Sequence, residues 1–176
     1  MPHSLRTERL LLRPPTVRDG AALARAVNDR AVLRNTGTWS YPASAEYARF
    51  RIASASGFIP SVHQSFLVIH GTEVIGQCGV GQREGEGFEI GYMIGRAWWG
   101  QGFMTEAVRA LCAHTFRTMP AKSLWGGVFD DNPASKRVLE KLGFAYRGPS
   151  APVWSIVRGR SDPGSDYELI RERFRP

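Results

Sequence analysis

At 176 residues, 43% hydrophobic and 22% charged, the chain can bury a sizeable core, and the expectation is one domain over residues 1–176. No apolar run approaches the roughly 18 residues that span a bilayer, and Met1 to Leu12 carries Arg6, Glu8 and Arg9 without a signal-peptide core, so a cytoplasmic location and no membrane partner are expected. The net charge is +7, yet the basic residues lie scattered from Arg6 to Arg175 without a run of five, which argues against dedicated nucleic-acid binding; Cys78 and Cys112 stand far apart with no metal spacing.

Thr7 to Arg13 predicts a strand stopped by Pro14 and Pro15, which cannot donate to a ladder. Thr16 or Asp19 can cap a helix through about Asn28, with Ala22, Leu23, Ala26 and Val27 at helical spacing. Ser44 caps a second helix that runs toward Ser56 and stops near Gly57. Ser65 to His70 and Glu73 to Val80 are β-rich runs joined by Gly71-Thr72, and a polar loop, Gly81 to Gly87, leads into a third run, Phe88 to Ile94. Three successive strands imply an antiparallel meander.

Met104 to Thr118 is the longest helix, with Ala107, Val108, Leu111, Cys112, Thr115 and Phe116 on one side, and Pro120 ends it. Ser123 to Phe129 is a further strand. Asn132 then caps a helix with Pro133 at its first position, and Gly143 closes it. Strand, helix, strand, helix across Phe88 to Leu142 requires a right-handed crossover and a parallel pair. Phe144 to Arg147, Val153 to Val157 and Tyr167 to Ile170 are the last strand candidates. No repeat or dividing linker is visible.

The chemistry is concentrated in Phe88 to Glu106. Gly100 and Gly102 let the backbone approach a ligand, because glycine lacks Cβ and tolerates positive φ. A helix starting near Phe103 aims its free N–H groups and positive dipole end into that turn. Together they form an anion site, most naturally for phosphate. His3, His63, His70 and His114 are scattered and carry no motif.

TERLLLRP, VIGQCGV, EIGYMI, WWGQGFMTEA, DDNPASKRVLEKLGF and SDYELIRERF, in that order, resemble the GNAT superfamily of acyl-CoA-dependent N-acetyltransferases over nearly the whole chain. Within it they are similar to the ribosomal-protein N-terminal-acetyltransferase-like (RimJ/RimL-like) branch. The resemblance implies an α/β (α+β) single-domain GNAT fold: a mixed six- to seven-stranded sheet with an antiparallel N-terminal meander, a splayed parallel strand pair and about four helices. It implies acetyl-CoA as donor, no metal, and a small-molecule amine or a protein N-terminus as acceptor, and it leaves a homodimer open.

By the same resemblance, the pantetheine arm pairs with backbone of Tyr92, Met93 and Ile94, and the pyrophosphate sits on the amides of Trp99, Gly100, Gln101, Gly102, Phe103 and Met104. Asn132 resembles the asparagine that bonds the pantetheine, and Ser135 the hydroxyl near the thioester sulfur. Three departures stand out. Ala97 replaces a frequent Gln or Arg, Gly95-Arg96 replaces a commoner Asp-Pro, and Leu139 stands where a tyrosine acting as general acid is frequent.

Direct attack of a neutral amine on the thioester is the expected reaction. An α-amine with a pKa of about 8 must first lose a proton, and Glu89 is the candidate base, sharing a strand face with Gly91 and Met93. A strand N–H near Met93 would polarise the carbonyl and Ser135 would serve the leaving thiolate. Packing alone is the plainer role for Trp98, Trp99, Trp39 and Tyr41, and ion pairing the plainer one for Glu89. The turn lacks the third glycine of GxGxxG and the GK[ST] of a P-loop, which argues against nucleotide-binding alternatives. A catalytically idle acyl-CoA-binding regulatory module on the same fold is the alternative to an enzyme.

Overall fold

Period-two apolar patterns build strands whose two faces feed two cores. The computed structural model describes residues 4–57, 59–83 and 87–176. Among these, eight strands form one sheet: β1 (Leu5–Arg6), β2 (Leu10–Arg13), β3 (His63–His70), β4 (Glu73–Gln82), β5 (Phe88–Ile94), β6 (Ser123–Phe129), β7 (Ala145–Ser155) and β8 (Arg160–Ile170), in the spatial order β1-β2-β3-β4-β5-β6-β8-β7. The helices are α1 (Gly20–Val27), α2 (Arg30–Leu33), α3 (Ala45–Ser56), α4 (Phe103–Thr118) and α5 (Pro133–Lys141).

Along β3, Phe66 and Val68 enter a core shared with α4, while Leu67 and Ile69 enter a second core with α1, α2 and α3. Helices thus cover both faces of the sheet, which explains why Phe66, Leu67 and Val68 are consecutive and all fully buried. Burying one Phe or Leu side chain is worth about 1.5–3 kcal/mol, so this double-sided strand is a large contributor to stability. Trp39 belongs to the second core, edge-on to Tyr47 at 5.6 Å, so it packs, whereas Tyr41 is exposed.

The caps follow the sequence. Ser44 Oγ accepts from Tyr47 N at 3.0 Å, Asn132 Oδ1 accepts from Ser135 N at 3.2 Å, and Gly143 ends its segment at φ 87°. The strand and helix counts exceed the expected six to seven and about four. Leu5–Arg6 adds a short strand on β2, and Asp29 caps the extra α2 by accepting from Ala31 N at 2.7 Å. The two runs expected at Phe144 to Arg147 and Val153 to Val157 merge into β7, which tolerates Pro149 and Pro152 because it is an edge strand with register shifts at Tyr146/Gly148 and Ser150/Val153.

The β2 to β5 portion is antiparallel throughout, and β5 and β6 are parallel. No helix among the described residues is long and apolar enough to cross a membrane. Residues 84–86 of the expected Gly81–Gly87 loop, and His3, lie outside the described residues.

Candidate active site

The parallel pairing of β5 with β6 is confined to Phe88↔Leu124 and Glu89↔Trp125. Beyond those pairs the strands part, so the rest of β5 borders a gap that runs from Glu89 to the turn before α4. One end of this gap is made of backbone. Gly100 at φ 74° and Gly102 at φ 79° hold left-handed conformations, and Gly102 begins α4 with no side-chain cap on its first turn. The orphan N–H groups there, at the positive end of a 16-residue helix, suit an anion.

Side chains around the turn keep it in shape. Phe103 and Met104 are buried, so their side chains belong to the first core and leave the turn to the backbone. Gln101 folds back to donate to Ala97 O at 3.0 Å, and its own carbonyl is held by Arg9 Nη1 at 3.0 Å. Trp99 Nε1 donates to Ile94 O at 3.0 Å, latching the turn to the end of β5. Trp98 packs edge-on instead, 5.7 Å from Phe103 and 5.4 Å from His70. Beside this turn opens a cavity of about 400 Å³ lined by Glu8, Gly102, Thr105, Glu106, Arg109 and Lys141. It lies at the anion end of the gap, away from Glu89.

Strand alternation decides which backbone groups border the gap. Gly95 N bonds Ile75 O at 2.8 Å, and the register continues that hydrogen-bonded series through Met93↔Gln77, so Met93 turns its N–H and carbonyl to β4. The amides of Ile90, Tyr92 and Ile94 point the other way. This corrects the expectation for Met93: its backbone is occupied by the ladder, and its side chain packs in the second core.

Two polar side chains border the gap from opposite faces of the sheet, Glu89 on the face of Met93 and Ser135 on the face of Tyr92. Glu89 reaches solvent, with Gly127 on β6 opposite: a Cβ added at Gly127 would stand 3.3 Å from Glu89 Oε1 and 3.7 Å from Asp166 Oδ1. Burial pushes the Glu89 carboxyl up and Asp166 adds to that, while Arg83 and the Gly127 N–H pull it down without cancelling the rise. Arg83 is itself held by Asp166 at 2.7 Å and lies over Trp125 at 4.3 Å. On the other side, Ser135 in the first turn of α5 is half-buried, with its hydroxyl 2.8 Å from Tyr92 Oη.

Leu139, one turn further along α5, is fully buried against Gly126, where an added Cβ would meet its Cδ1 at 3.0 Å. The glycine lets α5 lie close on β6 and so carries Ser135 to the gap. The side chain at 139 packs rather than reacts.

Several participants escape sequence reading. Arg158, with a side chain 5% exposed, spans Asp131 through two bonds of 3.0 and 2.8 Å, Asp162 at 2.8 Å and Arg34 O at 2.7 Å, and lies over Phe129 at 4.1 Å. It ties the β7–β8 turn and the α2 exit to the residue preceding Asn132. Glu106 accepts from Arg9 N at 2.9 Å and Arg9 Nε at 2.7 Å, and from Thr7, pinning the β1–β2 connection to α4. Burial opposes the charge on Glu106, but those hydrogen bonds outweigh it and hold its carboxyl below the ordinary value. Apart from Asp162, four residues from Arg158, these partners are distant in sequence, so little local signal marks them.

Among the described residues no three His, Cys, Asp or Glu side chains gather as a metal site. Residues 9–145 match the family model described as Acetyltransferase (GNAT) domain. The chain is 29% identical over 162 residues to the uncharacterized N-acetyltransferase p20 of Bacillus licheniformis, covering 82% of this chain and 84% of that protein. In structure it resembles RimL, the ribosomal L7/L12 alpha-N-protein acetyltransferase in complex with coenzyme A, with a TM-score of 0.83 at 20% identity over 96% of this chain and 98% of that one. It also resembles the ribosomal-protein-S5-alanine acetyltransferase of Vibrio fischeri, with a TM-score of 0.83 at 18% identity over 99% and 100%.

Proposed function

Because the chain belongs to the acetyltransferase (GNAT) domain family and is an acyltransferase, we propose that it moves an acetyl group from acetyl-CoA to a primary amine, a protein N-terminal α-amine or a small-molecule amine, by direct attack in a ternary complex. One observation carries this reading: β5 and β6 part immediately after Glu89, between an uncapped helix N-terminus at one end and Glu89 and Ser135 at the other.

Acetyl-CoA supplies the activated acetyl group. The amides of Trp99 to Met104 and the start of α4 receive its pyrophosphate, and Arg109 and Lys141 beside the adjoining cavity complement further negative charge. The open-edge amides of Tyr92 and Ile94 hold the pantetheine arm and polarise the thioester carbonyl, and Asn132 receives the arm at α5. Glu89 takes one proton of the incoming ammonium, so the freed nitrogen lone pair forms the C–N bond, and the second nitrogen proton is given up to the departing sulfur, leaving the amide and the CoA thiol. As the C–S bond breaks, its electron pair leaves on sulfur, and the Ser135 hydroxyl donates a hydrogen bond to it. Each such proton-handling group is typically worth about 10²- to 10⁴-fold in rate.

The raised Glu89 carboxyl suits a base, because a stronger conjugate base accepts a proton from an amine more readily. Two measurements test the reading. Saturating acetyl-CoA raises the melting temperature by mass action while NAD does not. A panel of N-terminal peptides and small amines such as spermidine, followed by release of the CoA thiol, yields acetylated product from at least one member. A chain that neither shifts with acetyl-CoA nor releases thiol with any acceptor would sink the proposal.

A further inference from the structure

Tyr92 Oη lies 3.2 Å from the Ser135 carbonyl oxygen and 2.8 Å from Ser135 Oγ. A carbonyl only accepts and a phenol has one proton, so the pair has two arrangements. In one, Tyr92 donates to the carbonyl and Ser135 donates its proton back to Tyr92. In the other, Tyr92 donates to Ser135 Oγ, and the serine proton turns outward to a third group. The shorter contact is the one to Oγ.

We propose that Tyr92 is a positioning residue for the acyl transfer: its phenol donates to Ser135 Oγ and so directs the serine's one proton at the sulfur that leaves the donor. This rests on the reading of Ser135 as the group that meets that sulfur. Its placement follows from the fold, since Tyr92 stands on the β5 face that packs toward α4 and α5, with its ring against the first core. The first turn of α5 is held there by the Asn132 cap and by the close approach of Leu139 to Gly126. β5 thus brings a phenol to Ser135.

Tyr92 acts without ionising. Burial pushes its phenol strongly up, with the Ser135 hydrogen bond pulling against this and Cys112 adding to it. It therefore keeps its proton and works as a donor. The other titratable groups facing it are Cys112 from α4 and Cys78, its register partner on β4, both raised by burial, Cys78 to about 12. Lys136, next to Ser135, is paired with Asp130 at 3.3 Å.

The test uses CoA itself and needs no acceptor. A hydrogen bond to a thiolate lowers the thiol pKa, so CoA affinity rises as the pH climbs through the titration of the thiol, about tenfold when binding lowers that pKa by one. Calorimetric titration of CoA into wild type, Tyr92→Phe, Ser135→Ala and the double variant should give that gain in the wild type alone, with the double variant no worse than Ser135→Ala, because Tyr92 acts through Ser135. Desulfo-CoA should bind all four alike.

A Tyr92→Phe protein that keeps the full gain overturns the proposal, as do losses that multiply in the double variant. If Ser135→Ala keeps the gain, the assignment of Ser135 falls and this inference falls with it. Should Tyr92→Phe fail to fold, fluorotyrosine at position 92 keeps the ring and strengthens the donor. The gain then steepens, and an unchanged gain overturns the proposal.

Discussion

The two ends of the gap are built from different materials. At the end proposed for the anion the groups on offer are peptide amides, fixed by two left-handed glycines and the start of α4, while Phe103 and Met104 are buried and Gln101 folds back onto Ala97 O. At the end proposed for the reaction the groups are side chains, Glu89, Ser135 and Tyr92, conditioned by residues from other elements: Arg83, Asp166 and Gly127 around Glu89, and β5 against α5 around Ser135. A backbone site tolerates change in side chains but not in φ. A side-chain site depends on charge and on long-range contacts. Donor recognition and acceptor chemistry are therefore open to separate perturbation.

The largest effect expected is on the scaffold of the reacting end. Arg158→Met deletes a nearly buried guanidinium and leaves Asp131 and Asp162 short of a partner, costing about 2–3 kcal/mol; the loss is moderated because Asp131 is half exposed. At about 2–4 °C per kcal/mol for a chain of this size, thermal melting should fall by roughly 4–12 °C. A melting temperature within a degree of wild type would remove Arg158 as the tie between the β7–β8 turn and Asp131.

Gly102→Val perturbs the other end. A β-branched residue at φ 79° costs about 2 kcal/mol, and the cost appears as roughly 30-fold weaker CoA binding if the turn distorts in order to fold. Calorimetry at matched protein stability measures it, and undiminished affinity would mean that these amides do not hold the pyrophosphate. Glu106→Gln should be milder. It weakens the charged bonds to Arg9 and Thr7 for about 1 kcal/mol, reduced by the partial exposure of Arg9. Glu106 is held below its ordinary value, so its share of stability is present at neutral pH and lost as the pH falls through that lowered value. The melting difference between variant and wild type should thus shrink in acid, and a difference constant with pH contradicts the assignment.

Asp166→Asn is the subtlest change. Asp166 raises Glu89 and restrains Arg83, which lowers it, so the substitution should move the acid limb of kcat/KM to lower pH. A shift to higher pH would show that Asp166 does not act on Glu89 in this way.

This division also explains what the sequence reveals. The anion end is legible because its determinants are local: GQG, the helix that follows, and the Asn132-Pro133 cap all fall within a few residues of what they shape. Alternation along Phe88 to Ile94 likewise places Glu89 and Tyr92 on opposite faces. Met93 is misjudged because which strand edge stays open depends on the pairing with β4, 16 residues earlier at Gln77. The Arg158 and Glu106 networks are invisible for the same reason. Their partners meet only after the sheet has formed, and β7 reads as two strands because Pro149 and Pro152 break its pattern without breaking an edge strand.

The central claim is that Glu89 deprotonates the amine at the point where β5 and β6 part. The most direct measurement is the pH dependence of kcat/KM for wild type and Glu89→Gln, with acetyl-CoA and the best acceptor from the peptide and amine panel. The wild type should show an acid limb above the ordinary glutamate value of about 4.3, because burial raises that carboxyl. The variant should lose the limb and about 100-fold or more in rate, with CoA affinity retained. A Glu89→Gln protein that keeps both the limb and the rate would contradict the account.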